Sequence, residues 1–439
     1  MLISMTLSIA VWARPGFAVG LVLCSFVFEQ WAQAGSGLFV SYFQLTNYMT
    51  GLIVVMAYAA TLIKRQMRFP SLGAAGWTMV ALYVYCIISA VWSIDRGETI
   101  AQLRSAAVYL SAFGLLAPLV ASDTKAIRDA LLMTVLLGGF LLVTLLLNPN
   151  WSRRGVRLAV EGAANLMVRD TGNPLEVASV GGYVAIICAL LRVDSLPNWL
   201  RSSQWLLVIF GFALIIASES RGQFFAALGV IILFIPFAYP IRSLGTFIGA
   251  VFATAIVAGT AVVLLQTFAT ERFDFQNMIE NYSDSRIGTT GILLGAWASA
   301  GPLYWFLGLG SSASYTDDLL GTYPHFVPGE VLGELGLFGF AIYFTAYTLT
   351  AIAFFRIFRA VKPYPEARSL IATLGALCVF VSLLTLKQGS LLGSFAVPLF
   401  FILVGTMDRE VRALLHHPQH APQPIPDQPA PNTPRAQPA

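Results

Sequence analysis

The chain has 439 residues, of which 57% are hydrophobic and 11% are charged, and its formal net charge is +4. Soluble domains carry about 25% charged residues, so this composition excludes a soluble globular protein and indicates an integral membrane protein with many spans. The positive charges are spread along the chain without a basic tract, which excludes a nucleic-acid-binding protein.

Apolar runs long enough to cross a bilayer occur about twelve times, since a transmembrane helix needs about 20 mostly apolar residues. In chain order they lie near 15–30, 45–63, 71–92, 100–120, 127–147, 174–191, 203–218, 221–239, 244–267, 329–355, 369–386 and 389–406. The sequence therefore predicts an all-α membrane bundle over 1–412. A Pro- and Gln-rich cytoplasmic tail over 413–439 cannot bury apolar area and is predicted to be disordered.

The first apolar run has some features of a signal peptide. Arg14 precedes it, and Ala32-Gln33-Ala34 near its end is similar to a cleavage site. The stretch Glu29-Gln30-Trp31 is poorly suited to the position just before a cleavage site, so an uncleaved first span is favoured.

Lysines and arginines in the short loops predict which side of the membrane each loop faces. Every even-numbered span is followed by basic residues, so these loops and both termini are predicted to be cytoplasmic. The odd-numbered exits, including the large loop 268–328, then face the periplasm of a bacterial inner membrane. The basic residues that set this orientation are Lys64, Arg65, Arg68, Lys125, Arg128, Arg192, Arg201, Arg242, Arg356, Arg359, Lys362, Arg368, Arg409 and Arg412.

Cations on the outward side need another explanation, because they oppose this orientation rule. His325, the only histidine in the body of the chain, lies on that side, and imidazole readily exchanges a proton near neutral pH. For the arginines of 148–173, Arg157 among them, contact with lipid headgroups or nearby carboxylates is as good an explanation as a role in a functional site. The outward cations are Arg153, Arg154, Arg157, Arg169, Arg221, Arg272, Arg286 and Lys387.

No metal or other cofactor is expected. No second histidine, cysteine or aspartate cluster accompanies His325 at metal-ligand spacing. The cysteines fall singly inside apolar runs and form no CxxC pair, which indicates small apolar core residues. They are Cys24, Cys86, Cys188 and Cys378.

Ser220-Arg221-Gly222 begins the eighth predicted span. Gly222 allows another chain segment or a ligand to come close. Ser220 is predicted to cap the helix, whose N-terminal N–H groups favour an anion. The planar fork of Arg221 suits phosphate oxygens.

His325 stands just before a helix predicted to begin near Pro328. Glu330 and Glu334 are four residues apart and therefore share one face of that helix. Two carboxylates in an apolar span are costly, so they should face the protein interior. They are expected either to support the site or to be structural partners of Arg221 or Arg286.

Arg286 introduces a stretch predicted to form an amphipathic or re-entrant helix in the large loop. The stretch leads to Gly308-Leu309-Gly310, a weak motif by itself. Its aromatic residues Trp297, Tyr304 and Trp305 suit a membrane interface as well as they suit stacking on a sugar.

These motifs together resemble the O-antigen ligase and O-antigen polymerase superfamily, most strongly over 218–340. Phe326 is a departure, because the family often has Asn after the histidine. The residues that carry the resemblance are Trp92-Ser93-Ile94-Asp95, Ser220-Arg221-Gly222, Arg286 with Trp297 and Gly308-Leu309-Gly310, and His325 with Glu334 and Gly336.

The resemblance implies a GT-C-like glycosyltransferase that inverts the anomeric centre without a metal. The donor would be a glycan on undecaprenyl pyrophosphate, and the acceptor would be a lipid A core in ligases or a lipid-linked repeat unit in polymerases. Arg221 and Arg286 would hold the pyrophosphate, and His325 would act on the acceptor hydroxyl. These roles suit the residue types, because arginines neutralise developing negative charge and histidine accepts protons. The candidate supporting residues are Ser220, Glu330, Glu334, Lys387 and Arg157.

Two other classes of protein remain open: a transporter or flippase of lipid-linked glycans, and a non-catalytic scaffold. The sequence has no clear internal repeat, and its polar groups collect at one face instead of the midplane, which favours the enzyme. The motifs do not separate ligase from polymerase. A repeat-unit polymerase for O-antigen or exopolysaccharide is slightly preferred, because nothing in the sequence is specific for a lipid A core.

Overall fold

The computed structural model describes residues 2–192, 198–239 and 288–416, except for 36, 43, 65–71, 122, 148–173 and 219, together with isolated positions between 243 and 263. Within these residues the regular structure is helical and contains no strand. The fold class predicted from composition is therefore confirmed at the level of a helical membrane protein, while the GT-C-like arrangement stays a prediction.

The helices follow the apolar runs of the sequence, because in a bilayer each backbone polar group must find its partner within the same segment. They are α1 (Leu2–Ala13), α2 (Phe17–Gly35), α3 (Gly37–Ser41), α4 (Leu45–Lys64), α5 (Gly73–Ser89), α6 (Arg96–Val120, with a π-helical stretch at Tyr109–Leu116), α7 (Thr124–Leu146), α8 (Pro174–Leu190), α9 (Asn198–Ala217), α10 (Arg221–Ala238), α11 (288–299), α12 (Pro302–Leu307), α13 (Val327–Val361), α14 (Pro365–Thr385) and α15 (Ala396–His416).

Six of the described helices, namely α4, α6, α7, α10, α13 and α14, are long and apolar enough to cross a membrane, and α2, α5, α8 and α9 contain shorter apolar stretches. This identifies a multi-pass membrane protein, while the total of twelve spans stays a prediction. The predicted run 244–267 lies largely outside the described residues. Helix α1 was not predicted from the sequence.

The end of the chain differs from the prediction at two points. The last helix begins at Ala396 and not near residue 389, because the residues before it form a loop anchored by Glu330. It continues to His416, which is past the boundary of about 413 predicted for the tail. Asp408 stabilises this last part of the helix by binding Arg356 at 2.9 Å and Arg412 at 2.5 Å. Residues 417–439 lie outside the described chain.

Helix α8 lies at the centre of the bundle, since every residue from Val177 to Leu190 is buried. A helix that is apolar on all sides must be surrounded by protein or lipid. Small residues bring its neighbours close: Gly181 faces the backbone of Gly211 in α9, and Gly182 lies under the ring of Phe380 in α14. This packing places the start of α8 beside the end of α14 and the start of α10.

Helix α13 kinks at Gly336, which has φ 64° and ψ −166°. Two carbonyl groups next to the kink, those of Gly333 and Glu334, accept backbone hydrogen bonds from Leu309 at 3.1 Å and from Gly310 at 2.8 Å. The Gly308-Leu309-Gly310 turn therefore fits into the kink and compensates the interrupted helical hydrogen bonds. The first turns of α13 become a separate segment that follows His325.

The same turn is fastened to the corner between α5 and α6. The N–H of Ser311 donates to Ser89 Oγ at 2.9 Å, and Thr99 Oγ1 donates to Ser311 O at 2.6 Å. The N–H of Ile94 donates to the carbonyl of Leu309 at 3.0 Å. The Trp92–Asp95 motif thus holds the turn in place, and α5, α6 and α13 meet at one end of the bundle.

Candidate functional site

The candidate site lies at the end of the bundle where α8, α10 and α13 begin and α5 and α14 end. Two loops complete it: residues 308–326, which lead into α13, and residues 386–395, which connect α14 to α15. The predicted site residues Ser220, Arg221, His325 and Lys387 all lie in this region, while their placement on the outward side of the membrane stays a prediction. Arg286 and Arg157 lie outside the described residues.

His325 is half-buried two residues before α13 and has a positive φ of 61°. Positive φ is uncommon for residues other than glycine and carries a conformational cost, which is often found at functional sites. The imidazole ring lies 4.2 Å from the ring of Tyr323, with 61° between the ring planes. This contact and the backbone turn fix the position of His325 at the edge of the loop.

Tyr315 continues this aromatic group, with its ring 6.2 Å from that of Tyr323. Burial raises the pKa of Tyr315 above its ordinary value, and a hydrogen bond with Ser390 offsets part of that increase. The phenol therefore stays protonated at neutral pH and connects the loop before α13 to the loop after α14.

Arg221 begins α10, and the Lys387 side chain reaches the same end of that helix. A Cβ atom on Gly222 would overlap the end of the Lys387 side chain, including Nζ, so that chain crosses the helix directly at Gly222. Both cations are half-buried. The N-terminal end of α10 adds its own partial positive charge. The start of α10 thus combines the charges of Arg221 and Lys387 with the partial charge of the helix end, which suits an anion.

Ser220 occupies the N-cap position of α10, but its side chain does not cap the helix. The prediction of a capping serine is therefore wrong. Its hydroxyl instead donates to the carbonyl of Ser218 at 3.1 Å and reaches the carbonyl of Pro174 at 3.5 Å. These bonds satisfy the hydroxyl locally and tie the start of α10 to the start of α8.

Gln223 and Gln388 join the cationic region to the neighbouring loop. Gln223 is fully buried, and its Nε2 donates to Gln388 Oε1 at 2.6 Å and to the carbonyl of Leu175 at 3.3 Å. Within the part of the chain that the structure describes, Gln223 Oε1 has no hydrogen-bond partner. A buried polar atom without a partner is costly and favours a site that receives water or a ligand group.

A cavity of about 110 Å³ lies beside these residues, between α2, α8, α14 and the start of α15. Tyr323, a wall of the cavity, also contacts His325, and Gln388, another wall, contacts Gln223. Glu176 supplies a carboxylate, and hydroxyl groups come from both sides. The polar lining residues are Glu176, Ser179, Tyr183, Tyr323, Thr385, Gln388 and Ser394.

Glu330 and Glu334 are both buried on one face of α13, as their spacing predicted. The hydrogen bonds that they accept, however, come from the two loops. Both oxygens of Glu330 accept from the N–H of Leu391, at 3.0 and 3.1 Å. Glu334 accepts from the N–H of Ser312 at 2.6 Å and from the N–H and hydroxyl of Ser314 at 3.1 and 2.7 Å. Each carboxylate therefore holds one loop of the site against α13.

The segment after Arg286 contains the predicted helix, α11, whose Leu293 packs against Gly333 of α13. The indole N–H groups of this segment are used locally: Trp297 donates to the carbonyl of Tyr304 at 2.9 Å and Trp305 to the carbonyl of Ala298 at 2.8 Å. These bonds fix the corner between α11 and α12. Sugar stacking by the two tryptophans stays a prediction.

Four polar residues of this region were not identified from the sequence: Glu176, Gln223, Tyr323 and Gln388. Glu176 is two residues past a proline at a helix start, where acidic residues are common for electrostatic reasons alone. Gln388 directly follows Lys387, a predicted site residue, and this adjacency is the local feature of the sequence that could have identified it. Neither a protein-family model nor a curated protein sequence matches this chain.

Proposed function

We propose that the protein is a membrane glycosyltransferase that moves a glycan from undecaprenyl pyrophosphate to a sugar hydroxyl at the periplasmic face of the inner membrane. The supporting observation is that Arg221 begins the helix that the Lys387 side chain crosses at Gly222, and that the polar cavity next to it is bordered by Tyr323, which contacts His325. This combination suits a diphosphate next to a hydroxyl-bearing acceptor.

In the proposed reaction the acceptor oxygen attacks the anomeric carbon of the donor sugar. The new C–O glycosidic bond forms as the bond between that carbon and the pyrophosphate oxygen breaks, which inverts the anomeric centre. His325 accepts the acceptor proton, and the lipid pyrophosphate leaves with the bonding electron pair. General base catalysis of this kind contributes roughly 100- to 10,000-fold.

The positive groups act on the leaving group. Pyrophosphate gains negative charge as its bond to the sugar breaks, and Arg221 and Lys387 stabilise that charge with charge-assisted hydrogen bonds. Arg286 is proposed to join them. The acceptor sugar occupies the cavity lined by Glu176 and Gln388, where carboxylate, amide and hydroxyl groups match sugar hydroxyls. A repeat-unit polymerase is preferred over a lipid A-core ligase.

The test uses purified protein in lipid nanodiscs with a preformed, lipid-linked glycan and no ion gradient. Transfer of the glycan to a second lipid-linked unit is expected, and His325→Ala should abolish most of it while the protein level stays unchanged. Arg221→Lys keeps the charge but loses the planar fork, so its activity should drop markedly. The matched control is Arg128→Lys, because Arg128 pairs with Glu366 at 3.5 Å at the opposite end of α14.

The outcomes separate the candidate classes. Near-normal transfer by His325→Ala would remove His325 from the mechanism. Movement of the lipid-linked glycan across vesicles without any transfer would identify a transporter, and neither transfer nor movement would indicate a scaffold.

A further inference from the structure

A second group of polar side chains is buried between α2, α4 and α6, apart from the cavity of the proposed active site. On α2, Gln33 shares a helix face with both Gln30 and Glu29, because it follows them by three and four positions. Asn47 of α4 contacts Glu29, Thr46 precedes Asn47 in the same helix, and all five residues are at least 91% buried. Polar groups at such depth in a membrane bundle are costly and typically mark a binding site or an ion pathway.

Hydrogen bonds join Glu29, Gln33 and Asn47 within this group. Glu29 Oε2 accepts from Asn47 Nδ2 at 2.7 Å, and Glu29 Oε1 accepts from Gln33 Nε2 at 3.1 Å. Asn47 Nδ2 also donates to the hydroxyl of Tyr109 at 3.1 Å. Because the Asn47 nitrogen faces a carboxylate, its amide cannot be reversed without placing two oxygens together. The position of Asn47 Oδ1 is therefore fixed.

Three oxygen atoms of the group find no hydrogen-bond partner among the described residues: Gln30 Oε1, Thr46 Oγ1 and Asn47 Oδ1. Their residues are only 7%, 2% and 5% exposed, so bulk water does not satisfy them. All three can accept a hydrogen bond or coordinate a cation. These oxygen atoms therefore still need a positive charge or a hydrogen-bond donor beside them.

The carboxylate of Glu29 has the same requirement. Its described hydrogen bonds come from neutral amides, and the ion pairs found in the described part of the chain do not include it. An ionised carboxylate inside a membrane bundle needs a compensating charge. One monovalent cation would balance one carboxylate, whereas a divalent cation would leave an excess charge.

Aromatic rings separate this polar group from the cavity of the proposed active site. Phe26 stacks on Tyr109 at 5.3 Å, and Phe395, which lines the cavity beside the proposed active site, lies 5.7 Å from Phe26. These rings lie between the polar group and that cavity.

We infer that Glu29, Asn47 and Thr46, with Gln30, form a binding site for a monovalent alkali cation that links α2 to α4. Hard cations prefer oxygen ligands of this kind, namely carboxylate, amide carbonyl and hydroxyl. A bound cation would neutralise Glu29, satisfy the amide oxygen of Asn47 and stabilise the outward ends of the two helices.

The experiment measures the thermal unfolding midpoint of the full-length protein in detergent while NaCl replaces choline chloride at constant ionic strength. A ligand that binds only the folded state raises this midpoint in a saturable way, so a saturable increase with Na⁺ is expected. Glu29→Gln keeps the size and loses the charge, and it should lower the apparent affinity for Na⁺ by more than tenfold. Glu366→Gln at the opposite end of the bundle is the control and should respond like the unchanged protein.

Thr46→Val gives a second test that leaves the charge untouched. The substitution removes one oxygen and keeps the shape of the side chain. The Na⁺ concentration that gives half of the maximal rise in the unfolding midpoint should therefore increase several-fold. Equal midpoints in choline and in Na⁺ for the unchanged protein would overturn the inference and leave Glu29 as a buried neutral acid. A full response in Glu29→Gln would overturn it as well. Neither result depends on transfer activity, so the proposed function is tested separately.

Discussion

Gly222→Ala tests whether Lys387 acts beside Arg221. A Cβ at this position would lie 2.6 Å from Lys387 Cε, whereas ordinary contact begins at 3.4 Å. The Lys387 side chain must therefore move by about 0.8 Å or more, away from the start of α10. The overlapping atoms belong to the end of a flexible side chain, and alanine favours a helix over glycine by about 1 kcal/mol. We expect the fold to be retained and the ammonium group to be displaced.

The size of the functional effect follows from the loss of one charge-assisted hydrogen bond. Hydrogen bonds to charged groups are worth about 1.5–3 kcal/mol, and each 1.36 kcal/mol corresponds to about tenfold in rate. The value of kcat/KM for transfer from the lipid-linked donor should fall roughly 10- to 150-fold. Stabilisation of the protein by added inorganic pyrophosphate, measured as a rise in Tm, should weaken in parallel.

Gly229→Ala is the matched control for this prediction. Gly229 lies about two turns further along the same helix, and a Cβ there would meet nothing within 4 Å. It should keep full activity and the full response to pyrophosphate. Unchanged kcat/KM and Tm response in Gly222→Ala would refute a role for Lys387 at the anion. Equal losses in both variants would show a general perturbation of α10.

Three further substitutions test other parts of the site. Glu334→Ala leaves the N–H groups of Ser312 and Ser314 without their acceptor, which should lower the free energy of unfolding by about 3 kcal/mol, measured by chemical denaturation; unchanged stability would contradict the assignment of Glu334 to the loop. Glu176→Gln should raise KM for the acceptor but leave the Tm response to pyrophosphate intact, and an unchanged KM would exclude Glu176 from acceptor binding. Gly336→Ala should reduce Tm and yield, because the residue has φ 64° and its Cβ would lie 2.5 Å from the carbonyl oxygen of Phe306. A normal Tm would contradict the requirement for glycine at the kink of α13.

The helices could be predicted from the sequence because their signal is local. A run of apolar residues must satisfy its own backbone in lipid, so α4, α7, α10 and α14 begin and end within a few residues of the predicted runs. The start of α15 was misplaced for the opposite reason. Residues 389–394 are apolar enough to continue a span, but the N–H of Leu391 binds Glu330, a residue 61 positions away.

The position of Arg221, His325 and Lys387 at one end of the bundle could be predicted, because alternating spans return their ends to the same side. The position of Glu176 could not be predicted. It depends on how α8 packs against α14, and packing leaves no local pattern in the sequence. The partners of Glu330 and Glu334 could not be predicted either. Backbone N–H groups occur at every residue except proline, so the sequence does not show which of them a buried carboxylate will bind.

The two buried glutamates also explain why His325 can occupy a conformation with a positive φ. That conformation is costly for a residue with a side chain, so the surrounding structure must hold the backbone on both sides. On the N-terminal side, Glu334 and the kink at Gly336 hold the turn at 308–314. On the C-terminal side, Glu330 holds α13 to the loop that carries Lys387. These contacts hold the loop before His325 and the loop that carries Lys387 against the same helix, so a change at either glutamate should alter the positions of both His325 and Lys387.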